Sequence, residues 1–388
     1  MQGQEQITWT KFVQGFRQMF AWHKIRAQPI RGVVLIALII LLGSKTIEIT
    51  ATCIATVNLV PNLPQASNNW NVVESDVSVN ILWQMSMDAS PIQYPYHIFA
   101  DKNISSSHDR LFYIWDGDTI PGFPCSRHDS AFLTLDLRTG EVINHYAGDE
   151  TLSIKSMIAS EFGFTVVSHD KVVTQFDSNG NRLWGNQSFG SRTIKNIFET
   201  NTHYYLPNSR FSYVVDKHNG QKQDNLGIPN VIAVYEDIIL ASDIANEIQI
   251  RDQNRQDILD AFPFAIGTDG FGFKPFVTRH KNILILTQLY QGIQAYDLEQ
   301  DAVIWSLNLP FLENEYPSVI GDKLIVYDKS YPSLGFYDIR TGEYIGQIQL
   351  ANNVSNIAPE YVDIVSDENI IVIYFQNTHD IVALEVNF

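Results

Sequence analysis

Three histidine–aspartate pairs are the residues of this sequence whose side chains best suit catalytic or metal chemistry. The pairs are His128-Asp129, His169-Asp170 and His379-Asp380. An imidazole beside a carboxylate can bind a metal ion or transfer a proton, provided that the side chains converge in space. Aspartate is also a favoured turn residue, because its carboxylate accepts hydrogen bonds from nearby backbone amides. A shared site and three separate turns are both open, and the turns are the simpler interpretation.

One long polar segment, Asp116 to Asp129 (DGDTIPGFPCSRHD), contains one of the two cysteines. Cys53 and Cys125 lie far apart in the chain, which argues against a disulfide framework and against a thiolate zinc site. Arg127 lies near Cys125, but no histidine or asparagine arrangement marks this thiol as a nucleophile. Long loops on a rigid scaffold commonly serve recognition or packing. We therefore predict that Phe123, Cys125 and Arg127 contact a partner.

A second segment, Ala261 to Phe276 (AFPFAIGTDGFGFKPF), is dense in phenylalanine, glycine and proline. Its GTDGFG stretch resembles a phosphate-binding loop only superficially, because the Lys-Ser/Thr pair is missing and no helical pattern follows. We expect a connection between two strand repeats, with Phe271, Phe273 and Phe276 forming an aromatic docking patch. No residue is predicted to be catalytic, to bind a cofactor or to bind a metal ion.

A repeat of about 40 residues supplies the elements that position these segments. Short alternating runs of Val, Ile, Tyr, Phe and Leu recur from about residue 80, broken by Asn, Gly, Asp and Pro. Each repeat contains one aspartate at an equivalent position: Asp136, Asp177, Asp216, Asp252, Asp297 and Asp338. Strand repeats of this period predict a β-propeller in which each repeat is one blade of four strands.

The best preserved copies of the repeat are LTLDLRTGEVI around Asp136 and GFYDIRTGEYI around Asp338. Both place Asp-x-x-Thr-Gly between two strand patterns, so we predict the turn between the third and fourth strands, C and D, of a blade. The aspartate would accept hydrogen bonds from the amides of its own turn, and the glycine would adopt a positive φ.

Six aspartates leave the ring one blade short, and the two ends of the domain supply the seventh blade. Residues 369–388 carry two strand patterns, and residues 79–85 carry the outer one, with Trp83 at the position that Trp184 and Trp305 hold in their repeats. We therefore predict an all-β, seven-bladed propeller of four-stranded antiparallel blades over residues 79–388, closed by strand 79–85. Six or eight blades are the alternatives.

A strand followed by Asp-x-x-Thr-Gly and then Trp or Ile resembles the quinoprotein-like (pyrroloquinoline-quinone-type) propeller repeat. The resemblance covers about residues 78–388 and is clearest in LDLRTGEVI, YDIRTGEYI and FDSNGNRLW. The quinone enzymes of that family are longer and eight-bladed, with a calcium-bound cofactor and often a disulfide between adjacent cysteines. This chain has no Cys-Cys pair, and most of its repeats lack the full motif. The resemblance implies a scaffold without catalysis or cofactor, similar to the propeller lipoproteins of outer-membrane assembly.

The residues before the propeller predict a membrane anchor. Residues 1–31 predict a cytoplasmic amphipathic helix that lies in the lipid headgroups or docks on a partner subunit. Its aromatic residues at helical spacing are Trp9, Phe12, Phe16 and Phe20. Residues 32–58 predict one transmembrane signal-anchor helix, although it includes Lys45 and Glu48 and its most apolar part is short. A cleaved signal peptide is the alternative.

Residues 59–78 are rich in Pro, Asn and Ser, which predicts a linker. We expect it to enter the propeller at the start of an outer strand, on the side of the C–D turns.

The charge distribution supports the same topology. The formal net charge of the whole chain is −17. Residues 1–31 contribute +4, so the remaining residues contribute −21. Basic residues before the span predict a cytoplasmic N-terminus, which places the propeller on the periplasmic or extracellular side of the cytoplasmic membrane. A domain this acidic repels phosphate backbones, so nucleic-acid binding is disfavoured.

These features predict a non-enzymatic, single-pass membrane protein. We expect a scaffold or accessory subunit of a multi-subunit membrane complex that contacts the lipid bilayer and other membrane or envelope proteins. The alternatives are a receptor for a small ligand or glycan, and a quinone- or metal-dependent enzyme that uses the propeller channel.

Overall fold

The computed structural model describes the greater part of the chain after residue 64. The described residues are 65–86, 104–107, 109–115, 131–147, 154–168, 172–189, 196–208, 210–242, 247–254, 256–264, 275–288, 291–309, 318–328, 332–353, 362–375, 378 and 380–388. The predicted tail (1–31), the predicted span (32–58) and the Asp116–Asp129 loop lie outside them. Regular structure in the described part consists of β-strands, and no helix there is suited to crossing a bilayer.

The strands follow one another along the chain in blade order. Three precede the first complete blade: β1 (Gln65–Ala66), β2 (Trp70–Ser75) and β3 (Ser78–Ser86). Blade 1 contains β4 (Ile104–Ser107), β5 (Arg110–Trp115), β6 (Ala131–Asp136) and β7 (Val142–Ala147). Blade 2 contains β8 (Ile154–Ser160), β9 (Gly163–Ser168), β10 (Val172–Asp177) and β11 (Arg182–Ser188). Blade 3 contains β12 (Phe198–Glu199), β13 (His203–Pro207) and β14 (Ser212–Asp216).

Blade 4 contains β15 (Val231–Val234), β16 (Ile238–Ser242), β17 (Glu247–Asp252) and β18 (Ile258–Pro263). Blade 5 contains β19 (Phe276–His280), β20 (Ile283–Gln288), β21 (Gly292–Asp297) and β22 (Ala302–Asn308). Blade 6 contains β23 (Ser318–Ile320), β24 (Lys323–Asp328), β25 (Ser333–Asp338) and β26 (Tyr344–Asn352). Blade 7 combines β27 (Val362–Asp367), β28 (Ile370–Phe375) and β29 (Asp380–Asn387) with β3.

In blades 1, 2, 4, 5 and 6 the strands A to D of one antiparallel sheet follow the chain, and blade 7 takes its D strand from β3, so the predicted seven-bladed propeller is confirmed. Blade 3 departs from the pattern, because its fourth position is an irregular segment held by bridges from Ser212 to Leu226 and from Val215 to Lys222.

Seven apolar clusters form the core, one at each junction between neighbouring blades. At the junction of blades 1 and 2, Phe132 packs against Phe164 and Phe176 with ring centroids 5.1 and 5.2 Å apart. Strands B and C are apolar on both faces because each face of a blade packs on a neighbour, as in β28, which is buried throughout.

The closing blade joins both ends of the described chain. Strand β3 pairs antiparallel with β29 from Ser86 opposite Asp380 to Ser78 opposite Asn387. This is the strand that the sequence analysis places beside the C-terminal strands. The pairing gives the last blade an outer strand and ties the two ends of the ring together.

The segment predicted as a linker, 59–78, belongs to the propeller from Gln65 onwards. Strand β1 pairs with β3, and β2 pairs with β26 of blade 6, where Trp70 is buried. Strand β3 does begin on the side of the C–D turns, as expected, because Ser78 pairs with Asn387, but the described chain first joins the ring at the other end. Gln65 pairs with Ser86 at the end of β3, so the chain joins the ring at the end opposite the C–D turns. The Asn- and Ser-rich composition concealed a strand whose partners lie far away in sequence.

The six repeated aspartates anchor the C–D turns, as predicted. Asp338 Oδ1 accepts hydrogen bonds from the amides of Arg340 and Thr341 at 2.8 and 3.0 Å. The equivalent carboxylates bind turn amides in the other five blades with such turns. In blade 1 such hydrogen bonds lower the pKa of Asp136, and the bond from the Thr139 amide contributes most to this shift.

Three tryptophans fasten neighbouring blades together. The indole Nε1 of Trp83, Trp184 and Trp305 donates to the carbonyl of the residue after the aspartate of the next blade, at 2.9, 3.0 and 2.8 Å respectively. Each ring lies on the turn glycine of that blade. Trp83 therefore holds the same position as the other two, as the sequence alignment predicts.

Candidate protein-binding face

The A–B turns and the C–D turns of blades 1 to 6 lie at one end of the ring, which we call the turn face. The B–C and D–A connections lie at the other end, where many residues are outside the described ranges. Because the strands fix both ends of each two- to five-residue turn, the turn face is positioned by the rigid blades. Charged side chains on it bridge neighbouring blades.

A buried lysine holds blades 2 and 3 together on the turn face. Lys217 follows the aspartate of blade 3, and only 4% of its side chain is exposed. Its Nζ hydrogen-bonds Glu199 of the same blade and lies 3.5 Å from Glu161 of blade 2. It also lies 5.1 Å from the ring centre of Phe162, which is cation–π distance. One ammonium group thus meets two carboxylates and an aromatic ring.

Burial and ion pairing shift the pKa values of Lys217 and Glu199 in opposite directions. Burial lowers the pKa of Lys217, but the hydrogen bond and the charge of Glu199 outweigh it, so the net pKa is raised. Burial raises the pKa of Glu199, and Lys217 only partly reverses that change. The lysine therefore carries its positive charge at neutral pH. This charge partly offsets the effect of burial on the pKa of Glu199.

The surface above Lys217 displays an aromatic side chain in an acidic setting. Phe162 is 38% exposed, and its ring packs edge-on against His218 with centroids 5.7 Å apart. Glu161 is mostly exposed beside it, and the exposed Glu236 of blade 4 accepts a hydrogen bond from the Asn201 amide at 2.5 Å. A partly exposed aromatic ring that is held in place by its neighbours is one kind of side chain that anchors protein–protein contacts.

Similar bridges continue around the face. Arg279 of blade 5 forms a two-pronged ion pair with Asp237 of blade 4, with one N–O distance of 3.0 Å. Lys281 and His280 of blade 5 contact Asp322 of blade 6 at 2.7 and 2.8 Å. Arg138 of blade 1 also pairs with Glu368 of blade 7, at 2.5 Å. These contacts keep adjacent turns in register.

The contacts of Asp322 should make the stability of the fold depend on pH. The hydrogen bonds from Lys281 and His280 lower the pKa of Asp322 to about 2, from an ordinary value of 3.8. A lowered carboxyl pKa stabilises the fold above the ordinary value, and that contribution disappears as the pH falls towards 2. Because the pair is exposed, Asp322→Asn should cost less than about 1 kcal/mol at pH 7.

The measurement is the free energy of unfolding of both proteins in urea between pH 7 and pH 2.5. The difference in the free energy of unfolding between the wild type and Asp322→Asn should stay constant down to about pH 4.5 and then shrink. In a Lys281→Met background it should be smaller throughout. A difference that stayed unchanged down to pH 2.5 would contradict the role of the pair.

The structure does not bring the sequence-predicted partner residues together within the part it describes. Phe276 lies in β19, the innermost strand of blade 5, and is half-buried opposite Thr287. The other predicted residues lie outside the described ranges: Trp9, Phe12, Phe16, Phe20, Lys45, Glu48, Phe123, Cys125, Arg127, Phe271 and Phe273. Their binding roles stay predictions.

One member of the histidine–aspartate pairs is described, and it is structural. Asp380 begins β29, is buried, and accepts a hydrogen bond from the Trp70 indole. The pairs fall between strands B and C of blades 1, 2 and 7, as expected for turns, and their other members lie outside the described residues. Within the described ranges, no group of three or more His, Cys, Asp or Glu residues could hold a metal ion.

No protein-family model matches this sequence, and no curated protein matches it. Among solved structures, the fold is similar to BamB from Moraxella catarrhalis, with 10% identity and a TM-score of 0.51 over 79% of this chain and 98% of that one. It is also similar to the Pan2 WD40 domain of Neurospora crassa, with 12% identity and a TM-score of 0.59 over 82% and 98%. The likeness shows a β-propeller fold.

Proposed function

We propose that this chain is a non-enzymatic scaffold that binds another protein through the turn face of its propeller. The observation that carries this proposal is the Phe162 site, where an exposed aromatic ring is fixed by Lys217 and His218 on a rigid surface. Rigid aromatic anchors lose little conformational entropy on binding and dominate the energetics of many interfaces. The likeness to other propellers supports the fold and does not choose among functions.

The proposal includes a membrane setting. The apolar segment 32–58, preceded by basic residues, would anchor the chain with its N-terminus in the cytoplasm and its propeller outside the cytoplasmic membrane. The scaffold would then be an accessory subunit of a membrane complex, with membrane or envelope proteins as partners.

Co-purification from native membranes in mild detergent tests the proposal. The tagged chain should retain a stoichiometric partner, and Phe162→Glu should release it while the propeller stays folded. Val73→Glu is the matched control, because Val73 is more exposed, at 61%, but lies on the outer edge of blade 6. A chain that purifies without a partner, or equal retention in both variants, would count against the turn face as the binding site.

A further inference from the structure

An additional chain segment lies across the junction of blades 6 and 7. Residues 67–75, which we call the strap, precede β3 and lie outside the repeats. Trp70 of the strap is almost fully buried, and its ring stacks on Phe375 with centroids 3.8 Å apart and planes inclined by 9°. Trp83, Trp184 and Trp305 come from D strands and dock on C–D turns, whereas Trp70 lies at the opposite end of the ring.

The strap also donates hydrogen bonds to a buried carboxyl group. Asp380 of blade 7 is 1% exposed, and its two carboxylate oxygens accept hydrogen bonds from the Trp70 indole at 2.9 Å and from the Asn69 side chain at 3.1 Å. These are the side-chain hydrogen bonds that the described residues give this carboxylate. A buried carboxylate that loses its donors is strongly destabilising.

The backbone of the strap is recognised as an extended peptide. Gln84 of β3 accepts from the Trp70 amide at 2.9 Å and donates to the Trp70 carbonyl at 2.7 Å. Strand β2 pairs with the outer edge of β26 from Trp70 opposite Asn352 to Ser75 opposite Ile348. Strand addition with a side-chain pocket is an established mode of peptide recognition.

We propose that the junction of blades 6 and 7 is a peptide-binding groove that the chain fills with its own strap, and that this occupancy clamps the ring shut. The groove consists of the Phe375 ring, the Asp380 carboxylate, Gln84 and the outer edge of β26, which the strap occupies. Its ligand is an extended segment with Asn-Trp at one end. The pairing of β3 with β29 closes blade 7, whereas the strap joins blade 7 to blade 6. The inference stands independently of the turn-face function.

An internal deletion of residues 67–75 in the full chain tests the clamp. The deletion should lower the melting temperature and speed hydrogen exchange in β28 and β29 as well as in β26. A synthetic peptide of residues 67–75 (SNNWNVVES), added in excess to the deletion variant, should raise the melting temperature of that variant as the peptide concentration increases. The same peptide with Trp replaced by Ala should not.

A deletion with unchanged stability, or faster exchange confined to β26, would overturn the proposal. So would a stable deletion variant that neither SNNWNVVES nor its alanine analogue affects. If the deletion variant does not fold, Trp70→Ala in the full chain provides the test, with Val73→Ala on the same strand as its control. Trp70→Ala should lower the melting temperature several times more than Val73→Ala, and equal effects would overturn the clamp.

Discussion

Replacing Lys217 by methionine should lower the free energy of unfolding by about 3–5 kcal/mol, the usual effect of removing one partner of a buried ion pair. Methionine keeps much of the buried aliphatic chain but leaves Glu199 without its cation, next to Glu161 and Glu236. The Lys217 carbonyl still accepts from Trp184, so the loss measures the charge and not the tryptophan contact. Urea unfolding at pH 7 provides the measurement.

Lys281→Met is the matched control, because it removes the same group from a pair in which the lysine is 60% exposed. That change should cost less than about 1 kcal/mol. Adding Glu199→Gln to Lys217→Met should restore part of the lost stability, because the uncompensated charge is removed. Equal losses in Lys217→Met and Lys281→Met would show that the Lys217 cluster is only a surface pair.

The Lys217 variant should also recover stability in mild acid. Burial already raises the pKa of Glu199, and removing the lysine removes the interaction that lowers it. A carboxyl group with a raised pKa is destabilising above that pKa and takes up a proton as the pH falls. The stability difference between the wild type and Lys217→Met should therefore narrow as the pH decreases from 7 towards the ordinary pKa of glutamate.

The fold was predictable because its defining signals are local. Each repeated aspartate accepts hydrogen bonds from amides of its own turn, so the pattern survives in the sequence even where the strands have diverged. The closing strand was predictable for a related reason, since Trp83 occupies the same repeat position as Trp184 and Trp305. Counting turns and one displaced tryptophan was enough for seven blades.

The strap was not predictable from composition. Its stretch ASNNWNVVES carries the polar residues of a linker, and the partner that buries Trp70 lies 310 residues away. A tryptophan in a linker was the one available signal, because a large aromatic side chain is seldom left in solvent. Choosing between a buried strand and a loop still required the location of Asp380 and Phe375.

The Lys217 cluster was half predictable. The residue after the repeated aspartate is Leu137 in blade 1 and Ile339 in blade 6, both buried. The same position is exposed at Ser178 of blade 2, so the lysine in blade 3 indicated a buried cation with carboxylate partners only by analogy with blades 1 and 6. Their identity was hidden, because Glu161 belongs to another blade and Glu199 to the first strand of blade 3.

Gly220→Ala should cost roughly 2–5 kcal/mol, the second large effect that the structure predicts. Gly220 ends the aspartate turn of blade 3 at φ +70°, and an added Cβ would lie 2.4 Å from Cε3 of Trp184. The ring cannot move away freely, because its Nε1 donates to the Lys217 carbonyl at 3.0 Å. The variant therefore combines left-handed backbone strain with overpacking at the junction of blades 2 and 3.

Gly321→Ala separates the two contributions, because Gly321 has a φ of +56° and no atom within 4 Å of an added Cβ. It should show the backbone cost alone, about 1–2 kcal/mol. Urea unfolding of both variants gives the cost of displacing Trp184 as their difference, about 1–3 kcal/mol. In Trp184→Phe, which lacks the indole donor, Gly220→Ala should cost less than in the wild type. If the two glycine variants lost the same stability, the contact between tryptophan and glycine would not be what fastens one blade to the next.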